Sequence, residues 1–230
     1  NLGDIEIVTG KHMTISAWVK LNSLTEYECI VCKNSAYWAY ALQGDTTSGI
    51  LRFWVSSSSY TEDAESDSNI ADGQWHHVVG VYDGTLPSAN TKLYVDGVLQ
   101  TKTYDQTIDI PDTTDPLVIG NTNPGGTSWV IDGTIDEVSI WNRSLSPEEI
   151  REHYLRGAMK LNISVRSCDD PNCEGESWQN TTETINGFKT LDLNNNRYFQ
   201  YKAYFNTEIN NSVWSNYNIT GNYTPALRLM

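Results

Sequence analysis

The feature that most constrains this chain is a recurring short alternation of apolar and polar residues, interrupted by Gly, Asn, Asp or Pro. A strand sends successive side chains to opposite faces, so each such run offers one apolar face that a second sheet must cover. Residues 14–21 set Ile15, Ala17, Val19 and Leu21 on one side and Thr14, Ser16, Trp18 and Lys20 on the other. Residues 36–42 and 50–56 continue the pattern, 75–82 read as a strong strand, and 92–95 run into Asp96-Gly97. That dipeptide favours a two-residue hairpin because both positions tolerate positive φ, and 98–103 supply the return strand. With 117–120 and 135–142 the set reaches about eight short strands, which describes a sandwich or barrel.

One helix interrupts the strands. Ser146-Pro147-Glu148-Glu149 places Ser at the N-cap, Pro at the first helical position and Glu three residues after the cap, which predicts a capping box. Acids lead, bases trail and Gly157 stops the run, in keeping with the helix dipole. A lone helix after the last strand punctuates a domain, so the sequence divides into 1–157 and 158–230. The second part is richer in Asn, with strands expected at 160–167, 197–205 and 226–230. So few strands make a thin core, and a small or incomplete second β-sandwich is expected there. The fold class is therefore all-β throughout.

The formal charge of −14 disfavours nucleic acid and anionic lipid as partners, because a polyanion repels both. No apolar run reaches 18 residues, so membrane insertion is not expected. A start at Asn1, with neither Met nor an apolar leader, implies that a secretion signal has been removed or that the sequence is a piece of a longer protein.

The four cysteines form two local pairs. Cys168 and Cys173 flank Asp-Asp-Pro-Asn, a turn that brings the sulfurs together, so a hairpin disulfide and an oxidising compartment are expected. Cys29 and Cys32 lie in Glu-Cys-Ile-Val-Cys-Lys, which reads as a strand. Positions three apart on a strand face opposite ways, so these two can bridge only across a bulge or turn. Asn-x-Ser/Thr sequons at Asn142, Asn162, Asn180, Asn210, Asn218 and Asn222 make these asparagines glycosylation candidates.

Four blocks in order carry a family resemblance. They are Trp75-His76-His77-Val78-Val79-Gly80-Val81-Tyr82-Asp83-Gly84, Leu93-Tyr94-Val95-Asp96-Gly97-Val98, Leu117-Val118-Ile119-Gly120-Asn121 and the run from Gly133 to Ser146. Their order and spacing, closing on the capped helix, resemble the laminin G-like, concanavalin A-like jelly roll to which pentraxins are related. The resemblance covers about two-thirds of the chain. It implies two antiparallel sheets in a secreted or cell-surface protein that binds a glycan or a cell-surface protein. It also implies structural Ca²⁺ between the N-terminal segment and the final strand, where Asp4 and Asp136 stand, with Asp132 as a third ligand. The chain departs from the family by beginning almost on Asp4, so the first strand is expected to be shortened, cut away or supplied by another subunit, and the open strand edge this leaves makes self-assembly a candidate. It departs again after Gly120, where Asn121-Thr122-Asn123 offers none of the acids of a pentraxin ligand loop.

Catalysis is not expected. Jelly-roll glucanases align Glu-x-Asp-x-Glu on one strand, whereas here Asp4-Ile5-Glu6 lacks a third acid and Asp136-Glu137 face opposite ways. His76 and His77 are also adjacent, cannot share one ion, and match structural histidines of the family. Parity sets Arg52 and Trp54 opposite Leu51, Phe53 and Val55, and Tyr94 opposite Leu93 and Val95. With Tyr60 these predict an exposed face on which aromatic rings stack on sugars. A structural subunit of a surface layer, stalk or filament is the alternative, and an accessory region of a polysaccharide-active enzyme the third reading.

Overall fold

The computed structural model describes residues 10–33, 39–56, 63–105, 107–121, 129–181 and 196–207. The chain separates into two compact units between Gly157 and Ala158. In the first unit the strands are β1 (His12–Leu21), β2 (Cys29–Lys33), β3 (Tyr40–Gly44), β4 (Leu51–Val55) and β5 (Ala64–Glu65). They continue with β6 (Trp75–Asp83), β7 (Thr91–Val95), β8 (Val98–Leu99), β9 (Val118–Ile119) and β10 (Gly133–Trp141), and helix α1 (Pro147–Gly157) follows.

These strands pair antiparallel into two five-stranded sheets, β10-β1-β6-β7-β8 and β5-β4-β3-β2-β9. The apolar side of each faces the other. Met13, Ile15, Ala17, Val19 and Leu21 of β1 meet Leu42 of β3 and Leu51, Phe53 and Val55 of β4 in one dry core. The alternation expected for β1 is thus the one observed. Gly80 on β6 lies so close to the Phe53 ring that a Cβ there would sit 2.3 Å from it, so only glycine lets the sheets close at this point. The Asp96-Gly97 turn joins β7 to β8 with φ of +52° and +76°, the positive pair that a tight hairpin needs.

Helix α1 lies against the outer face of the β1 sheet. Its cap is reciprocal: the Glu149 N–H donates to Ser146 Oγ at 3.2 Å, and the Ser146 N–H donates to Glu149 Oε2 at 2.8 Å. A fork of two hydrogen bonds from Arg143 to Glu149 adds to it, and the two together hold the Glu149 carboxyl at about 2. The cap sets Ile150 into a cluster with Val79, Val81, Tyr94 and Leu145. Near the end of the helix, Tyr154 stacks with Trp18 and His77, with ring centroids 5.8 and 6.2 Å away.

The second unit pairs β11 (Met159–Cys168), β12 (Gln179–Thr181) and β13 (Tyr198–Thr207) in the order β12-β11-β13. Cys168 is bonded to Cys173 across the Asp-Asp-Pro-Asn turn. Trp178 takes cations from two strands, Arg166 at 4.6 Å and Lys202 at 4.4 Å from its ring centroid. The strand expected at 226–230 lies outside the described residues.

Candidate functional site

The outer face of the β4 sheet departs most from an ordinary sandwich surface. A bulge in β2 helps to build it. Cys29 pairs with Gln43 and Val31 with Leu42, so Ile30 is the extra residue. The bulge resets the alternation: Ile30 and Val31 both enter the core, while Cys29 and Cys32 both emerge on the outer face. There they are joined as a disulfide. This is the bulge that such a bond required.

Arg52 and Trp54 project to that same outer face, as their parity predicts, yet neither is exposed. Trp54 has no accessible surface and packs with Ala41, Cys29, Cys32 and Val118, and Arg52 is 3% exposed. The expectation of a stacking surface built from these two residues is therefore corrected. Alternation separates the two faces of a strand but does not say which of them is wet. Tyr94 is corrected too, because α1 and Leu145 cover its side of the sheet. Tyr60 lies outside the described residues.

Around Arg52 the sheet collects charge. Asp45 follows β3, Asp63 precedes β5, and Glu65 ends it, and one oxygen from each lies within 4.8 Å of the others. The Arg52 guanidinium lies 3.4 Å from Asp45 and 3.5 Å from Asp63. Lys102 pairs with Glu65 and stands 3.7 Å from Asp63. Burial pushes the Asp45 carboxyl up. Hydrogen bonds from the Thr47 N–H and the Thr46 hydroxyl, with the Arg52 charge, outweigh burial and hold it below the usual range. Asp45 is thus fixed as an anion, unlike a general acid, which keeps its proton at neutral pH.

Beside this cluster the surface becomes aromatic. Tyr27, in the turn before β2, and Trp129, ahead of β10, meet edge to face with ring centroids 5.8 Å apart. They are 39% and 48% exposed, and Arg52 sits 5.9 Å from the Tyr27 ring centroid. Both residues hold left-handed backbone, with φ of +67° and +58°. Bulky residues rarely adopt it, and such strain collects at functional sites.

The residues expected to bind Ca²⁺ are less concentrated. Asp132 accepts from Asn22 Nδ2 at 3.1 Å, Asp136 Oδ1 accepts from the Glu137 N–H, and Asp4 lies outside the described residues. Among the described residues, carboxylates converge in threes at Asp45–Asp63–Glu65, where two bases already offset most of their charge, and at Asp169–Asp170–Glu176 in the second unit. Both groups are able to take a metal ion. His76 and His77 diverge as expected. His76 bridges Asp96 at 2.8 Å and Asp72 at 3.2 Å, whereas His77 is buried beside Trp18, 5.3 Å from its ring. Of the sequon asparagines, Asn142 is exposed after β10, Asn162 and Asn180 lie on β11 and β12, and Asn210, Asn218 and Asn222 fall outside the described residues.

Sequence reasoning missed Tyr27, Trp129, Asp45, Asp63, Glu65 and Lys102. Asp63-Ala64-Glu65 carried a usable signal, since two acids at alternate positions of a strand share a face. Tyr27 and Trp129 carried a weaker one, as lone aromatics in polar turns.

The family model described as the concanavalin A-like lectin/glucanases superfamily matches residues 1–151, and the chain belongs to that family. Among curated proteins no relative matches the sequence. The fold is similar to a heptameric SAP-like pentraxin from Limulus polyphemus, at 15% identity and a TM-score of 0.48, over 76% of this chain and 82% of that one. Domain 4 of an extracellular arabinanase from Geobacillus stearothermophilus, in complex with arabinotriose, is similar at 22% identity and a TM-score of 0.48. That match covers 64% of this chain and 68% of the other. The binding domain of botulinum neurotoxin DC, in complex with rat synaptotagmin II, has 15% identity and a TM-score of 0.48, over 64% of this chain and 36% of that one.

Proposed function

We propose that this chain is a non-catalytic, extracellular recognition module that binds a glycan at the Tyr27–Trp129 end of the β4 sheet. The observation that carries the reading is this half-exposed aromatic pair, held by left-handed backbone beside a buried charged cluster. Solvent-facing rings cost hydration and gain little from folding, so a pair kept this way suits contact with the C–H faces of a ligand. Two disulfides suit an oxidising compartment. Among the described residues no helix is long and apolar enough to cross a membrane.

Assembly through open strand edges is the weaker reading. The long outer strand β10 carries a bulge against β1 and the exposed acids Asp136 and Glu137, and the other sheet ends, β5, β8 and β9, are two residues long. Short, charged and bulged edges oppose strand addition. The test is a glycan array probed with the purified chain and with Trp129→Asn, a substitution that keeps a residue tolerant of left-handed backbone. Saturable binding that the variant loses supports the reading. Concentration-dependent light scattering with no glycan bound would support assembly instead.

A further inference from the structure

Resting on that reading, we infer that the ligand is an uncharged oligosaccharide, and that sulfated, sialylated or uronic-acid glycans are rejected. An anionic sugar is recognised by cations with unspent donors, above all by arginine forks. Here the bases are committed. Arg52 is buried between Asp45 and Asp63, and the orientation of the Gln43 amide that satisfies both partners sets its oxygen 3.2 Å from Arg52 Nε and 2.7 Å from Nη2. Lys102 is bound by Glu65 and Asp63. Three carboxylates against two bases leave the cluster with a net negative charge.

The approach to the rings is acidic as well. The Tyr27 phenol donates to the Glu26 carboxylate, which raises its pKa with burial adding to the rise against a smaller pull from Arg52, and Glu28 follows directly. The chain as a whole carries −14. A sulfate or carboxylate would thus approach like charge, and the two bases of the cluster are already committed to its carboxylates rather than left to offset the ligand's desolvation. A neutral sugar pays no such cost. Its C–H face meets the Tyr27 and Trp129 rings, and its hydroxyls can donate to carboxylates at the rim. The aromatic pair supplies the contact, and the spent arginine supplies the selection.

The experiment is titration of the full chain with neutral oligosaccharides (glucans, mannans, xylans and arabinans), beside sulfated, sialylated and uronic-acid glycans, at two salt concentrations. Neutral ligands should bind, with affinity changing less than about twofold between about 50 mM and 500 mM NaCl. Trp129→Asn and Tyr27→Asn should each weaken binding about tenfold. Trp75→Ala, which removes an exposed ring from the other sheet, should leave binding unchanged. Unchanged thermal unfolding shows that the variants fold. Preference for anionic glycans with steep salt dependence, still lost in Trp129→Asn, overturns the ligand class and leaves the site standing. Glycan binding that survives both aromatic substitutions overturns the site. Binding to a protein alone, with no glycan bound, overturns both.

Discussion

The outer face of the β1 sheet and the outer face of the β4 sheet each bury a patch of side chains, but the two patches are built from opposite chemistry. The first is closed by helix α1, whose Ile150 joins Val79, Val81, Tyr94 and Leu145 in an apolar cluster. The second carries an arginine, two buried aspartates and a glutamine around a disulfide and a tryptophan. Apolar burial is non-directional and stabilises in proportion to area. A buried ion cluster contributes little net stability, because desolvation offsets the attraction, but it is costly to break. The helix-covered face is therefore read as structural, and the charged face as the one shaped by a task other than folding.

The sharpest way to break this comparison is Arg52→Met. It strands Asp45 and Asp63 without their cation, and a loss of about 3–5 kcal/mol is expected by urea unfolding. A variant as stable as the parent would mean that the two faces do not differ as described. On the helix-covered face Ile150→Ala removes the one fully buried residue of α1 and should cost about 2–4 kcal/mol, with no effect on glycan binding.

Proton uptake separates the faces further. Burial holds His77 low, at about 4, with a smaller push from His153 and an opposing pull from Asp96. The unfolded histidine protonates near 6.5, so between pH 6.5 and 4 the unfolded chain binds more protons, and stability falls as the pH falls. His76 is raised, chiefly by its hydrogen bond to Asp96, and its contribution is complete below 6.5 and fades only above that pH. It therefore does not flatten the His77 window. Acidifying from pH 6.5 to 5 should cost about 2 kcal/mol, and His77→Phe should abolish that slope while keeping the ring stack with Trp18 and Tyr154. A slope that persists in the variant would place its source elsewhere.

The smallest expected effect is on the charged face. Reducing Cys29–Cys32 opens a very short loop, worth about 2 kcal/mol or less by chain entropy. A larger loss would show that the bond braces the face rather than merely shortening the unfolded chain.

Much of this was legible in the sequence, and the reason lies in which physics is local. Alternation in β1, the reciprocal Ser146–Glu149 cap and the positive-φ Asp96-Gly97 turn are decided by neighbours a few residues apart. The condition for bridging Cys29 and Cys32 was legible too, although the position of the bulge was not. Burial of Arg52, Trp54 and Tyr94 was misjudged, because parity says which residues share a face and not what covers it. Tyr27 and Trp129 were each only faintly marked, as lone aromatics in polar turns, and their pairing was not legible, since two turns about a hundred residues apart meet only after the sheets have stacked.

The bulge at Ile30 has one further consequence. If β2 paired with β3 without the bulge, so that one end of the strand slipped by a residue while the other kept its register, one cysteine would turn into the apolar interior and the other outward, and no bond could close between them. The disulfide thus acts as a covalent checksum on strand alignment. Counting reactive thiols in freshly folded protein reads out the fraction of chains that paired out of step.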